Sequence, residues 1–380
     1  MTVGVASGLW VLGLWVWGLS SCLSCIGTLQ LLRRLRSQGS HFQFHESISI
    51  LKPLKGLDFE IEKNLKSFFE LDYPDFEIQF SVADDDDPVI GVVNRLVKGH
   101  PNVRASLSIG CQRIGINPKI NNIALTYEAA RADWVLISDS NVRVPRNYLH
   151  NLTRAIGPDT GIVTSILSGQ KESGLGGHLE SIFLNTFYAK GMSLSYWLGL
   201  PCVVGKTMLF KKSVAQRFGG ILILKDFLAE DYVAGSAMNL ISKKVEVASV
   251  PVVQVVGTKS LDEFWSRHVR WGVIRKSHGP LLFFFEPLTF STVQFLIGLL
   301  TFGNSAFGAA TFSLVHLTIW MGSDLIAVNA LVGKVRVSDL GTWLLRELLA
   351  LPIWVCAAST RNVKWRGRLY KVLPGGVLQA

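Results

Sequence analysis

A chain of 380 residues that is 49% hydrophobic, with a mean hydropathy of +0.33, is too apolar for an ordinary soluble protein; it has room for one domain of about 200 to 250 residues plus membrane segments. Its net charge of +10 suits an anionic membrane surface or a phosphorylated ligand. Nucleic acid is excluded as a partner, because no nucleic-acid-binding module is recognisable and the basic residues lie beside apolar spans.

From Met1 to Leu32 there is no charged residue, and Gly8 to Leu32 is long enough to cross a bilayer. Arg33, Arg34 and Arg36 follow this run, whereas a secretory signal carries its charge ahead of the apolar core. The positive-inside rule then sets the amino terminus outside and the next segment in the cytoplasm. Residues 1–36 are expected to be an anchor. Cys22 and Cys25 lie within it as small packing residues. With Cys111, Cys202 and Cys356 they make an odd, scattered five that implies no disulfide framework.

Residues 45–275 read as alternating strands and helices. Ser47 to Leu51 is a short strand running into Lys52-Pro53-Leu54-Lys55-Gly56. Ile61, Leu65, Phe68 and Phe69 fall at helical spacing, and Tyr73-Pro74 ends that element. Phe76 to Ala83 is a strand that stops at Asp84-Asp85-Asp86-Asp87-Pro88. Val103 to Ile109 is the next, followed by a helix from Lys119 to Arg131. Trp134 to Ser138 is a buried-type strand ending at Asp139-Ser140-Asn141. Such alternation, with acidic residues at strand ends, implies an α/β fold with a parallel sheet and its site at the carboxyl edge.

Residues 281–360 are expected to form the remaining membrane helices. Between Pro287 and Ser323 there is no charge over a length sufficient for two spans, with Gly303-Asn304-Ser305 as the turn. Two crossings would return Lys334 and Arg336 to the cytoplasm. Leu340 to Thr360 contains Arg346 and Glu347, so it is expected to insert partially or lie along the interface. The tail, residues 361–380, is basic, and a full crossing would leave it on the side the charge rule disfavours.

Four features could carry chemistry. The acidic loop Asp84 to Asp87 follows a strand, though a solvated turn reads equally well. Asp139 can hold a divalent cation together with diphosphate oxygens; alone, a capping role is as good. Glu230-Asp231 precedes an apolar stretch, suiting a helix start or a general base acting on an acceptor hydroxyl. Arg267-His268-Val269-Arg270-Trp271 puts two guanidinium groups on neighbouring helical positions, where they can grip a diphosphate. An interfacial basic-aromatic helix is the competing explanation.

Taken in order, these residues resemble the ceramide glucosyltransferase group, glycosyltransferase family 21 and related to family 2, whose pattern is three spaced aspartates and a (Gln/Arg)-x-x-Arg-Trp box. The likeness spans nearly the whole chain. It is carried by Leu51 to Gly56, Phe68 to Pro74, Gly115 to Asn122, Ala229 to Tyr232 and Arg267 to Trp271. It implies a GT-A nucleotide-diphospho-sugar transferase domain, a Rossmann-like mixed sheet, between N-terminal and C-terminal transmembrane helices. The reaction it implies is inverting transfer of glucose from UDP-glucose to the primary hydroxyl of ceramide. Asp231 would be the catalytic base. Asp87 and Asp84 would contact the nucleoside, and Asp139 would hold Mg²⁺ or Mn²⁺. Lys119 and Asn122 would sit by the nucleotide, while Arg267, Arg270 and Trp271 close on the diphosphate. Cys202 and Glu230 would line the acceptor pocket. The catalytic domain would face the cytoplasm, at a bacterial inner membrane or the Golgi. Lys171 to Leu200, where the acceptor should be bordered, has no match to the family, so a hopanoid, sterol or diacylglycerol acceptor, or UDP-N-acetylglucosamine as donor, fits the same chemistry.

Overall fold

The computed structural model describes residues 2–37, 44, 46–200, 202–365 and 368–379; Pro201 and the tail residues Arg366 and Gly367 lie outside them. Contacts divide the chain into two units, one of residues 34–173, 195–258 and 376–380, the other of residues 1–33, 174–194 and 259–375.

The first unit is built on an eight-stranded sheet. Its strands are β1 (Ile48–Leu54), β2 (Phe76–Val82), β3 (Ala105–Ile109), β4 (Trp134–Ile137), β5 (Val142–Arg143), β6 (Thr160–Ser173), β7 (Met208–Lys211) and β8 (Lys244–Thr258). They lie in the order β3-β2-β1-β4-β7-β6-β8-β5. The first half is parallel, as the strand–helix alternation implies: β1 pairs β2 and β4, and β2 pairs β3. β1 is buried on both faces throughout, which is why it reads as a near-continuous apolar run. The second half departs from an all-parallel sheet. β7 runs antiparallel to both β4 and β6, and β5 antiparallel to β8, while β6 and β8 are parallel. A core of Leu51, Ile120, Ile123, Val135, Ile137 and Phe210 joins the two halves.

The second unit carries the apolar helices. Trp10–Arg36, Ala306–Val332 and Val337–Ser359 are each long and apolar enough to cross a bilayer. Pro280–Thr289 and Ser291–Phe302 form a pair bent by 60°, which is either a broken span or a re-entrant loop. The expected turn at residues 303–305 lies between Phe302 and Ala306. Ser291–Phe302 alone has 12 residues, about 18 Å of helix, so a crossing there takes in the bent pair, and the next helix runs past Asp324 to Val332. Val337–Ser359 is one continuous helix through Arg346 and Glu347. In both cases the charges are buried and ion-paired, so they do not end the segment as unpaired charges would. Close packing here depends on small residues: a Cβ on Gly298 would come within 1.8 Å of the Phe312 ring.

Candidate active site

The carboxyl end of β4 delivers Asp139, and three local devices bring the other groups to it. Asn117 caps the helix Pro118–Ala129, its side-chain oxygen accepting from the Lys119 and Ile120 amides. That fixes the first turn and sends Lys119 inward. The segment after residue 201 brings Gly205 and Lys206. The helix Glu230–Leu240 starts with two carboxylates in its first turn, as its acidic opening suggested.

Lys119 is the hub. Its Nζ lies 2.9 Å from Asp139 Oδ1 and 2.9 Å from Glu230 Oε1, and donates to the Gly205 carbonyl at 2.9 Å. The other Asp139 oxygen is 2.8 Å from Lys206 Nζ, which also donates to Asn141 Oδ1 at 2.7 Å. Burial alone would raise the Asp139 pKa. The two ammonium groups outweigh it and hold the carboxylate well below its ordinary range. Burial likewise opposes the charge on Lys119, and Asp139, Glu230 and Asp231 together outweigh it and push its pKa up.

Asp231 has the opposite balance. Burial and then the neighbouring Glu230 charge push it up to about 6, against Lys119 and two backbone donors. Those donors are the Gly205 amide, at 2.7 Å, and the Tyr232 amide, at 2.8 Å. Gly205 is glycine for steric reasons: a Cβ would stand 2.9 Å from Lys119 Nζ and 3.0 Å from Asp231 Oδ2. The half-buried Cys202 thiol is pushed up to about 12 by burial and by the Asp231 charge. It is a neutral wall group at neutral pH, not a nucleophile.

The other candidate residues of this unit make their contacts apart from the Lys119 hub. Asp87 accepts from the Gly56 amide at 2.7 Å and the Val89 amide at 2.9 Å, tying the loop after β1 to the helix after β2. Asp84 makes an exposed ion pair with Lys55 at 3.4 Å. Asn122 donates to the carbonyls of Leu54 and Ser81, joining the carboxyl ends of β1 and β2.

In the other unit the box residues lie on the helix Leu261–His278. Arg267 Nε is 2.9 Å from Glu180 Oε1, and its guanidinium lies 4.7 Å from the Trp271 ring centroid. Arg270 donates to the Lys364 carbonyl at 3.2 Å. Glu180 is fully buried. Burial would raise it, yet Arg267 and His268 hold it at about 2. Sequence reasoning missed Lys206, Gly205, Glu180 and Lys52. The last is wholly buried, 3.8 Å from the Phe68 ring centroid, and donates to the Asp139 carbonyl at 2.6 Å; burial lowers its pKa well below that of a free lysine. A Lys-Pro directly after a strand start was the one available signal for it.

A strand-end carboxylate paired to two ammonium groups, beside a second carboxylate poised near neutrality, is an anion-binding and proton-accepting arrangement. The sequence profile of glycosyl transferase family 21 matches residues 13–378. The chain belongs to that family. Among its relatives, ceramide glucosyltransferase 1 of Caenorhabditis elegans is 31% identical over 339 residues, 87% of this chain and 72% of the relative. The ceramide glucosyltransferase of Komagataella phaffii is 27% identical, over 86% of this chain and 82% of its own. Among solved structures, the mannosyltransferase PcManGT from Pyrobaculum calidifontis, in complex with GDP-Man and Mn²⁺, superposes with a TM-score of 0.51 at 16% identity. The match covers 92% of this chain and 97% of that one, and shows the GT-A fold. This family 21 chain is therefore a GT-A glycosyltransferase with apolar helices at both ends of its catalytic unit.

Proposed function

We propose that the enzyme transfers glucose from UDP-glucose to the primary hydroxyl of ceramide with inversion, as the names of its relatives suggest for the acceptor and the sugar. The observation that carries the chemistry is Asp231, held near the Asp139–Lys119–Lys206 cluster with a pKa of about 6. In a single displacement the Asp231 carboxylate takes the proton of the lipid hydroxyl. The hydroxyl oxygen bonds to the anomeric carbon as the bond from that carbon to the β-phosphate oxygen breaks, and the electron pair leaves with UDP. Lys119 and Lys206 offer ammonium charge to the diphosphate. No covalent enzyme intermediate is needed, which agrees with a Cys202 thiol kept protonated.

A divalent cation, Mg²⁺ or Mn²⁺, is part of this reading. Among the described residues no three His, Cys, Asp or Glu side chains cluster as a ligand set. Asp139 fits the one-carboxylate pattern of a cation that takes its other ligands from phosphate and water, provided an oxygen is released by Lys119 or Lys206. Such an ion would offset the charge of the departing diphosphate.

The orientation in this reading rests on chain direction. Trp17, Ser21 and Ser24 bond His316, Trp320 and Ser323 in turn, so Ala306–Val332 runs parallel to the anchor, and Trp10 meets Phe302 near the anchor's start. With the amino terminus outside, the bent pair crosses as a broken span, Ala306–Val332 crosses back, and Lys334 lies in the cytoplasm. Leu228 donates to the Gly376 carbonyl, and Val377 bridges Phe227, so the basic tail is on the catalytic side and Val337–Ser359 inserts without crossing.

The test is a screen of nucleotide-sugar donors against lipid acceptors in nanodiscs, with and without chelator, the product's anomeric configuration being read by NMR. UDP-glucose with ceramide should give the β-glycoside, with turnover lost to chelator and restored by Mg²⁺ or Mn²⁺. An α-linked product, or preference for another pair, contradicts the proposal.

A further inference from the structure

Among the buried charges of the unit with the apolar helices, Lys190, Asp324, Arg346 and Glu347 form one network. Lys190 Nζ is 2.5 Å from Asp324 Oδ1, and Arg346 Nη2 is 3.2 Å from Asp324 Oδ2. Arg346 also pairs with Glu347, whose Oε2 accepts the Ser291 amide at 2.9 Å. Two cations against two anions leave no net charge. One donor is unused: Arg346 Nε is buried and has no hydrogen-bond partner among the described residues. A buried guanidinium N–H without an acceptor is costly, and inside a membrane helix it marks a functional position.

Arg346 lines a cleft in this unit. The apolar walls are Phe183, Phe187, Phe264, Phe290, Ile353 and Trp354. The polar lining is His268 and the Arg275–Glu286 pair, joined by two hydrogen bonds of 2.8 and 2.7 Å. Gly272 and Ala350 are the small residues among them. The helix that presents His268, Gly272 and Arg275 to the cleft is the one that carries the Arg-x-x-Arg-Trp box. Phe183 abuts a π-helical turn, Leu184–Tyr188, that also supplies Phe187. π-turns inside α-helices recur at functional sites.

We propose that this cleft binds the acceptor lipid: a neutral lipid whose amide or ester carbonyl accepts from Arg346 Nε–H while a hydrocarbon chain lies along the aromatic wall. The inference rests on the lipid-acceptor reading above and gives it a location. An aromatic-walled cleft with one free donor matches a carbonyl next to a chain. A phosphorylated headgroup is disfavoured, because Asp324, Glu286 and Glu347 already neutralise the nearby cations.

The experiment uses the full chain in nanodiscs with a short-chain fluorescent ceramide as probe. Ala350→Trp fills the cleft without touching a charge. Arg346→Lys keeps a cation for Asp324 and Glu347 and removes Nε. Each should weaken probe binding by about tenfold or more, the worth of one lost charged hydrogen bond or comparable packing, with UDP affinity unchanged. A photoactivatable ceramide should crosslink the wild type within 183–187 or 350–354, which keeps the test open if either variant fails to fold. Competition separates the headgroups: ceramide or diacylglycerol displaces the probe, phosphatidic acid of equal chain length does not. Wild-type probe affinity in both folded variants, crosslinks confined elsewhere, or equal displacement by phosphatidic acid overturns the proposal. If the probe binds here and no glycosylated lipid is formed with any donor, the cleft stands and the transfer reading fails.

Discussion

Asp139 and Asp231 both border Lys119, yet their environments push them apart: two ammonium contacts hold the first ionised, while burial and the Glu230 charge raise the second to about 6. Groups split in this way commonly mark acid–base assignments. The rate consequence has a definite sign. Below pH 6 Asp231 is protonated and cannot accept the hydroxyl proton, so kcat/KM for the lipid should rise with pH through about 6 and then level. A pH–rate profile flat from 5 to 8 would contradict the assignment. The same raised pKa costs stability. The folded carboxyl retains a proton that the unfolded one, near pKa 3.9, has released. Stability therefore falls as pH rises from about 4 to 6, and the cost is complete at pH 7. Asp231→Asn should accordingly raise unfolding stability at pH 7 by on the order of 1–3 kcal/mol, measured by thermal or denaturant unfolding in detergent. Both carboxylates were legible because each stands where a strongly apolar strand or helix begins or ends. Lys206 was not, since Gly205-Lys206-Thr207 has no periodicity and its partner Asp139 is 67 positions away in the chain.

At the scale of elements, the helix Leu261–His278 has a well-defined start. Ser260 and Glu263 form a reciprocal capping box, Ser260 Oγ accepting from the Glu263 amide at 3.1 Å and Glu263 Oε2 from the Ser260 amide at 2.7 Å. Gly176 packs so closely on the Ser260 carbonyl that a Cβ would lie 1.9 Å from it. Ser260→Ala should lower stability by about 1 kcal/mol, with the loss visible in the unfolding midpoint and the variant still binding UDP. The parallel strands β1 to β4 and the helices between them follow from their apolar runs and from acidic or Pro-Gly stops. β6 and β8 escaped reading for a physical reason. The first ten residues of β6 are buried, so no apolar–polar alternation marks it, and its serines and threonines imitate a loop. The long helices run on through paired charges, Asp324 in one and Arg346 with Glu347 in the other, which are poor guides to where a segment ends.

For the whole molecule, the proposed topology joins the charge rule to the path of the chain: Ala306–Val332 runs parallel to the anchor, which puts Lys334, Arg336 and the tail carrying Arg361, Lys364, Arg368 and Lys371 on the catalytic side. In sealed vesicles of known orientation, Asp86→Cys and Lys334→Cys should both react with a membrane-impermeant thiol reagent only from the cytoplasmic face. Labelling of Lys334→Cys only from the other face would mean that the pair Pro280–Thr289 and Ser291–Phe302 re-enters and Val337–Ser359 crosses. The family, the GT-A fold and the membrane anchoring were all readable from motif order; the units' interleaving in sequence was not, because nothing in the composition of residues 174–194 marks them as packing with the apolar helices.

The measurement that bears most directly on the account is turnover of Asp231→Asn with UDP-glucose and ceramide, alongside its UDP affinity. Loss of the proton acceptor should lower kcat by ~10²- to 10⁴-fold while UDP binds as in the wild type, because the ammonium groups of Lys119 and Lys206 are retained. A folded variant that turns over at near wild-type rate would contradict it.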